Sequence, residues 1–164
     1  IWRHSPLAYA RDIRVAPHDP NTLYAALSDA AMGRAGSIYR SQDLGQTWKR
    51  FDHGLTVRST MMTVAPSRQD AKVVYGATRK GQVFGTLDGG ATFENGRYAY
   101  GGDKAWMAVD KTGRPSDGNI YIIWSPNAGC CAPSLFTRSF DSGLTFGIPL
   151  PKKRVMRRSS LRAA

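Results

Sequence analysis

This 164-residue chain holds a single glutamate, Glu94, and its 12 acids face 23 lysines and arginines. Any carboxylate chemistry must therefore be built almost wholly from aspartates. The two cysteines, Cys130 and Cys131, are neighbours. A bridge between adjacent residues closes a small strained ring, so free thiols in a loop are the expectation. His4, His18 and His53 stand apart without metal-type spacing, and no metal site is expected. No apolar run approaches the ~18–20 residues of a membrane helix. Gly89-Gly90 and Gly101-Gly102 read as turn glycines, not phosphate loops, so no cofactor is implied. Helical signals are scarce: the segment 28–36 is short, carries Gly33 and Gly36, and reads as a loop. Against these absences, hydrophobic residues make up 41% and aromatics 10% of the chain. That is a globular composition with material for a core.

What the chain does have is a pattern that recurs three times. It reads Ser41-x-Asp43-x-Gly45-x-Thr47-Trp48, then Thr86-x-Asp88-x-Gly90-x-Thr92-Phe93, then Ser139-x-Asp141-x-Gly143-x-Thr145-Phe146. The aspartates are spaced by some 45–53 positions, a period that signals a propeller or a solenoid. Each part has a mechanical role. The Asp carboxylate accepts backbone N–H groups just after it and closes a tight turn. The Gly takes a backbone conformation that other residues resist. The Thr and aromatic read as the start of the next strand.

Aligning the segments predicts four strands per repeat: 12–16, 22–28, 37–41 and 47–52; 60–65, 72–78, 82–86 and 91–94; 104–110, 119–125, 135–139 and 145–150. Breakers such as Pro17-His18-Asp19-Pro20-Asn21 lie between them. The second strands, 23–27, 73–77 and 120–124, are nearly continuously apolar, as suits strands covered on both faces. The stretch 96–102 reads as a connection between blades. The predicted fold is all-β: a partial β-propeller of about three four-stranded antiparallel blades, roughly 11–52, 60–95 and 104–150. It occupies residues 1–150, with 151–164 as a basic tail. Propellers close with about 4–8 blades. Three blades leave two apolar end faces, so the remaining blades of a larger ring, or a second copy, are the expected partners.

The repeated pattern is that of the Asp-box, or BNR repeat, and the chain resembles the Asp-box β-propellers. These include sialidases, related glycoside hydrolases and non-catalytic propellers of the photosystem-assembly-factor and sortilin types. Residues 11–95 are similar to bacterial BNR-repeat proteins through the string from Val15 to Tyr24. Residues 103–150 are more similar to a sialidase-like blade, through Asp103 to Asp110 and Gly118 to Tyr121. The resemblance implies structural Asp-boxes lying away from any active centre, and it favours an extracellular or periplasmic location. A sialidase would also carry an Arg-Ile-Pro motif, a Tyr–Glu nucleophile pair and three substrate-gripping arginines. The nearest strings, Asp12-Ile13-Arg14 and Gly147-Ile148-Pro149, do not match. Glu94 follows a box on the outer side of its blade.

In a propeller the first strand of each blade lines the central channel, where ligands bind. The candidates there are Arg11, Arg58 and Trp106 for binding, with Arg11 and Arg58 suited to grip a carboxylate or phosphate. Asp12 and Asp103 are the candidate acid and base. Two function classes follow: a non-catalytic binding or scaffold module with a glycan or protein ligand, or a fragment of a sialidase-like exo-glycosidase. A nucleic-acid binder ranks third. Of the net charge of +11, six cations lie in residues 152–162, leaving +5 elsewhere, and such a tail can follow phosphates.

Overall fold

A computed structural model describes residues 6–94, 96–101, 104–125 and 131–151. The tail from 152 onward, Asp103 and Cys130 lie outside the described residues. The described residues form twelve strands and no helix. The first sheet contains β1 (Tyr9–Ala16), β2 (Asp19–Ser28), β3 (Gly36–Ser41) and β4 (Lys49–Arg50). The second contains β5 (Met61–Pro66), β6 (Val74–Thr78), β7 (Gln82–Thr86) and β8 (Arg97–Tyr98). The third contains β9 (Trp106–Val109), β10 (Ile120–Ile123), β11 (Ser134–Ser139) and β12 (Leu150–Pro151). In each sheet, every strand pairs antiparallel with the next in sequence. This is a partial β-propeller of three four-stranded blades.

The blades stack face to face. One core cluster joins the first two sheets, with Tyr24, Ala26 and Ile38 against Met61, Val64, Val74 and Phe84. A second joins the second and third sheets, with Met62, Tyr75, Ala77 and Val83 against Met107, Val109, Ile120, Ile122 and Leu135. The alternation of side chains along a strand makes this possible: Met61 faces one neighbour and Met62 the other. Polar groups reinforce the first joint. The Met61 N–H donates to Ser28 Oγ at 2.8 Å, and Gly33 N–H to Thr60 Oγ1 at 2.9 Å. The segment 28–36 is the loop its glycines imply. Asp29 holds it in shape, accepting from the N–H groups of Ala30, Arg34 and Ala35.

The fourth strands depart from expectation. They are two residues long, and the aromatics Trp48, Phe93 and Phe146 lie outside them. In the second blade the strand is Arg97–Tyr98, inside the stretch read as a connection, and not 91–94. The physical reason is the turn itself. Its carboxylate captures the Thr N–H, so the chain stays curled through the aromatic before it can pair. Cys131 also differs from expectation, being disulfide-bonded rather than a free thiol.

Candidate functional site

The three repeat turns share one hydrogen-bond pattern. In the first, Asp43 accepts from Thr47 N–H at 2.8 Å, Thr47 Oγ1 at 2.5 Å and Ser41 Oγ at 2.7 Å. Ser41 Oγ in turn accepts from Gly45 N–H at 2.8 Å. Asp88 with Thr86, Gly90 and Thr92, and Asp141 with Ser139, Gly143 and Thr145, repeat the arrangement. These donors stabilise the carboxylate charge. The Thr47 hydroxyl and N–H, with Ser41, bring Asp43 down to about 2. Ser139, then Thr145, bring Asp141 to about 2. Asp88 is lowered further by Thr92 and Thr86. The oxygens of these aspartates are thus engaged inside their own turns.

The turns also join blades. Phe93 packs edge-on against Phe51 of the first blade, with ring centroids 5.5 Å apart. Tyr75 of the second blade donates its hydroxyl to the Ser142 carbonyl of the third turn at 2.9 Å. The first turn instead folds Trp48 onto its own sheet, against Ala25, Leu27 and Tyr39, with Trp48 Nε1 donating to the Gly45 carbonyl at 2.9 Å.

Function-capable side chains gather elsewhere, along β1, β5 and β9, which lie side by side. Two cavities open there. One, of about 280 Å³, lies toward the strand starts and is lined by Arg11, Asp12, Arg14, Met62, Thr63 and Trp106, among others. Three sequence candidates thus meet: Arg11, Asp12 and Trp106. Arg58 lies exposed between β4 and β5 and does not line this cavity. Trp106 is 56% exposed, whereas Trp48 and Trp124 are buried in core clusters. Its exposed ring is available to stack on a ligand.

Among the described residues, Asp12 is the only carboxylate in this cavity. It accepts from Thr63 Oγ1 at 2.7 Å and Val64 N–H at 3.1 Å, both on β5, and pairs with Arg14 Nε at 3.1 Å. These bonds tie the inner strand of the first blade to that of the second. Glu94 lies far along the blade, its carboxylate 3.9 Å from Arg97 and more than half exposed. Among the described residues, no three of His, Cys, Asp and Glu gather as metal ligands would.

The second cavity, of about 330 Å³, lies at the opposite ends of the same strands and is lined by Arg14, Arg68 and Lys111, with no acid among the described residues. Sequence reasoning passed over Arg68 and Lys111. The available signal was a cation just past the inner strand in the second and third repeats, hidden among ordinary turn residues.

No protein-family model matches the chain, and no curated protein matches it. Solved structures do. The chain is similar to the GH74 xyloglucanase from Xanthomonas campestris, at 17% identity over 84% of this chain and 22% of that one, TM-score 0.58. It is similar to the GH74 enzyme from Niastella koreensis, at 16% identity over 84% of this chain and 22% of that one, TM-score 0.55. It is also similar to YCF48 from Cyanidioschyzon merolae, at 12% identity over 87% of this chain and 38% of that one, TM-score 0.52. All are β-propeller folds, and at these identities the likeness is one of fold. The chain spans about a fifth to two-fifths of the length of these proteins.

Proposed function

We propose that this chain is a non-catalytic binding or scaffold segment of an Asp-box propeller. Its ligand, a glycan or a protein segment, sits against the inner strands, where Arg11 and Trp106 flank the first cavity. Its end faces dock further blades or a second copy. The observation that carries this reading is the state of Asp12. Glycoside hydrolysis uses two carboxyl groups across the scissile bond. Among the described residues Asp12 is the one carboxylate in its cavity, and its oxygens already bind Thr63, Val64 and Arg14. Asp103 retains its place as a candidate partner carboxylate only in the rival reading.

That rival is a fragment of a sialidase-like exo-glycosidase. It is favoured by the fold likeness to GH74 enzymes, of which the chain spans 22%, so further carboxylates would come from other blades. Assay of the purified chain against a panel of fluorogenic glycosides tests the binding reading. The binding reading expects no turnover above background. Turnover that disappears in Asp12→Asn or Asp103→Asn, with the melting temperature unchanged, would transfer the assignment to the hydrolase.

A further inference from the structure

We propose that Arg14, Arg68 and Lys111 form a binding site for a dianionic oxyanion, a phosphoryl or sulfate group on a small ligand, at the ends of the three inner strands. This deepens the binding reading above and rests on it. The three cations come from three different blades and line one cavity of about 330 Å³ to which the described residues bring no acidic side chain. Only Arg14 has an ion-pair partner, Asp12. Among the described residues neither Arg68 nor Lys111 is paired with a carboxylate. Three converging positive charges with one paired carboxylate raise the local potential and draw anions. The mutual effect is visible at Lys111, whose ammonium is pushed down by burial and then by the charges of Arg68 and Arg14. A bound dianion relieves that repulsion.

Both unpaired cations stand on turns that are already fixed. Ser67 Oγ accepts from Gln69 N–H at 3.2 Å and Asp70 N–H at 3.4 Å, shaping the turn that carries Arg68. Asp110, the acid beside Lys111, turns its carboxylate into its own turn, accepting from Thr112 N–H at 3.0 Å and Thr112 Oγ1 at 2.8 Å. The backbone under the cations therefore needs little ordering on binding. The site also lies at the other end of the inner strands from the cavity of Arg11 and Trp106, with Arg14 common to both. The volume admits a phosphorylated or sulfated small molecule, and three converging cations favour a dianion over the single charge of a lone carboxylate.

Titration calorimetry of the purified chain with inorganic phosphate, sulfate and acetate tests the site. The expectation is dissociation constants of roughly millimolar or tighter for at least one dianion, with acetate at least about tenfold weaker. Arg68→Glu/Lys111→Glu, both exposed positions, should weaken dianion binding by at least about tenfold. The charge-matched control Arg34→Glu/Lys80→Glu should change it by less than about twofold. Tighter binding of phosphate points to phosphate esters and tighter binding of sulfate to sulfate esters; either supports the site. The proposal is overturned if neither dianion binds the native chain, if acetate binds as well, or if both double variants lose affinity equally. Failure here without glycoside turnover removes this site alone, whereas turnover removes the binding reading itself.

Discussion

The second and third blades have sequences of the same kind and opposite surroundings. Val73-Val74-Tyr75-Gly76-Ala77 is less apolar than Ile120-Tyr121-Ile122-Ile123-Trp124. Yet every residue of β5 and β6 is buried, while β9 and β10 alternate between buried and open positions. The second blade has a neighbour on each side, and the third has one. Its far face carries Ile123 and Phe140, 38% and 64% exposed. On the first blade, Ile13 and Val15 are open in the same way, at 55% and 57%. An apolar strand thus records the capacity to be covered twice, and the neighbour decides whether it is.

Truncation along β10 sharpens the contrast most. Ile120 is fully buried in the cluster between the second and third blades. Ile120→Ala should cost about 3 kcal/mol, the loss of transfer energy plus a cavity. Ile123→Ala, on the open face, should cost less than about 1 kcal/mol. Urea denaturation of the two variants checks this, and equal costs would break the comparison.

The glycines of the repeat turns give the next largest effect. All three have positive φ: 88° at Gly45, 94° at Gly90 and 89° at Gly143. A Cβ at Gly90 would lie 2.5 Å from the Phe51 ring of the preceding blade, whereas at Gly45 the nearest atom is 3.5 Å away. Gly45→Ala should cost about 1 kcal/mol from backbone strain. Gly90→Ala should cost about 2–3 kcal/mol, because the joint between blades must also open. The difference in denaturation midpoints reads this directly.

Acid separates the turns from the interior. Asp43, Asp88 and Asp141 have folded pKa values below that of an unfolded aspartate. Their stabilisation is full above about pH 3.9. It is lost as pH falls through their folded values of about 2 for Asp43 and Asp141. Asp52 has the opposite sign. Burial raises its pKa despite Ser37 and Arg50, so its contribution is present below the unfolded value and lost as pH rises through the folded one. Asp141→Asn should therefore flatten the fall in melting temperature between pH 4 and 2. Asp52→Asn should leave that fall in place and alter the profile above pH 4.

The smallest effect is at Leu44, which holds φ at 56° where the second turn has Gly89. Leu44→Asn should stabilise by a few tenths of a kcal/mol, a melting rise of about 1 °C.

Much of the blade architecture was legible in the sequence because the repeat turns are local. Ser/Thr, Asp and Gly within five residues close a turn without help from elsewhere. The loop at 28–36 was legible for the same reason. The fourth strands were not, since Arg97–Tyr98 pair only because β7 offers an edge. Leu44 and Ser142, at φ of 56° and 55°, were missed because neither residue type announces the left-handed region. The convergence of Arg11, Asp12 and Trp106 followed from placing first strands together. The cation cluster of Arg68 and Lys111 depends on three turns from three blades, and nothing in any one repeat marks it.

The central claim is that the end faces of this arc are built to be covered. Multi-angle light scattering of the purified chain across a concentration series tests it most directly. The account predicts a mass that rises with concentration, and a return toward the monomer in Ile123→Lys/Phe140→Lys. A monodisperse monomer at every concentration, with a high and cooperative melting transition, would contradict it.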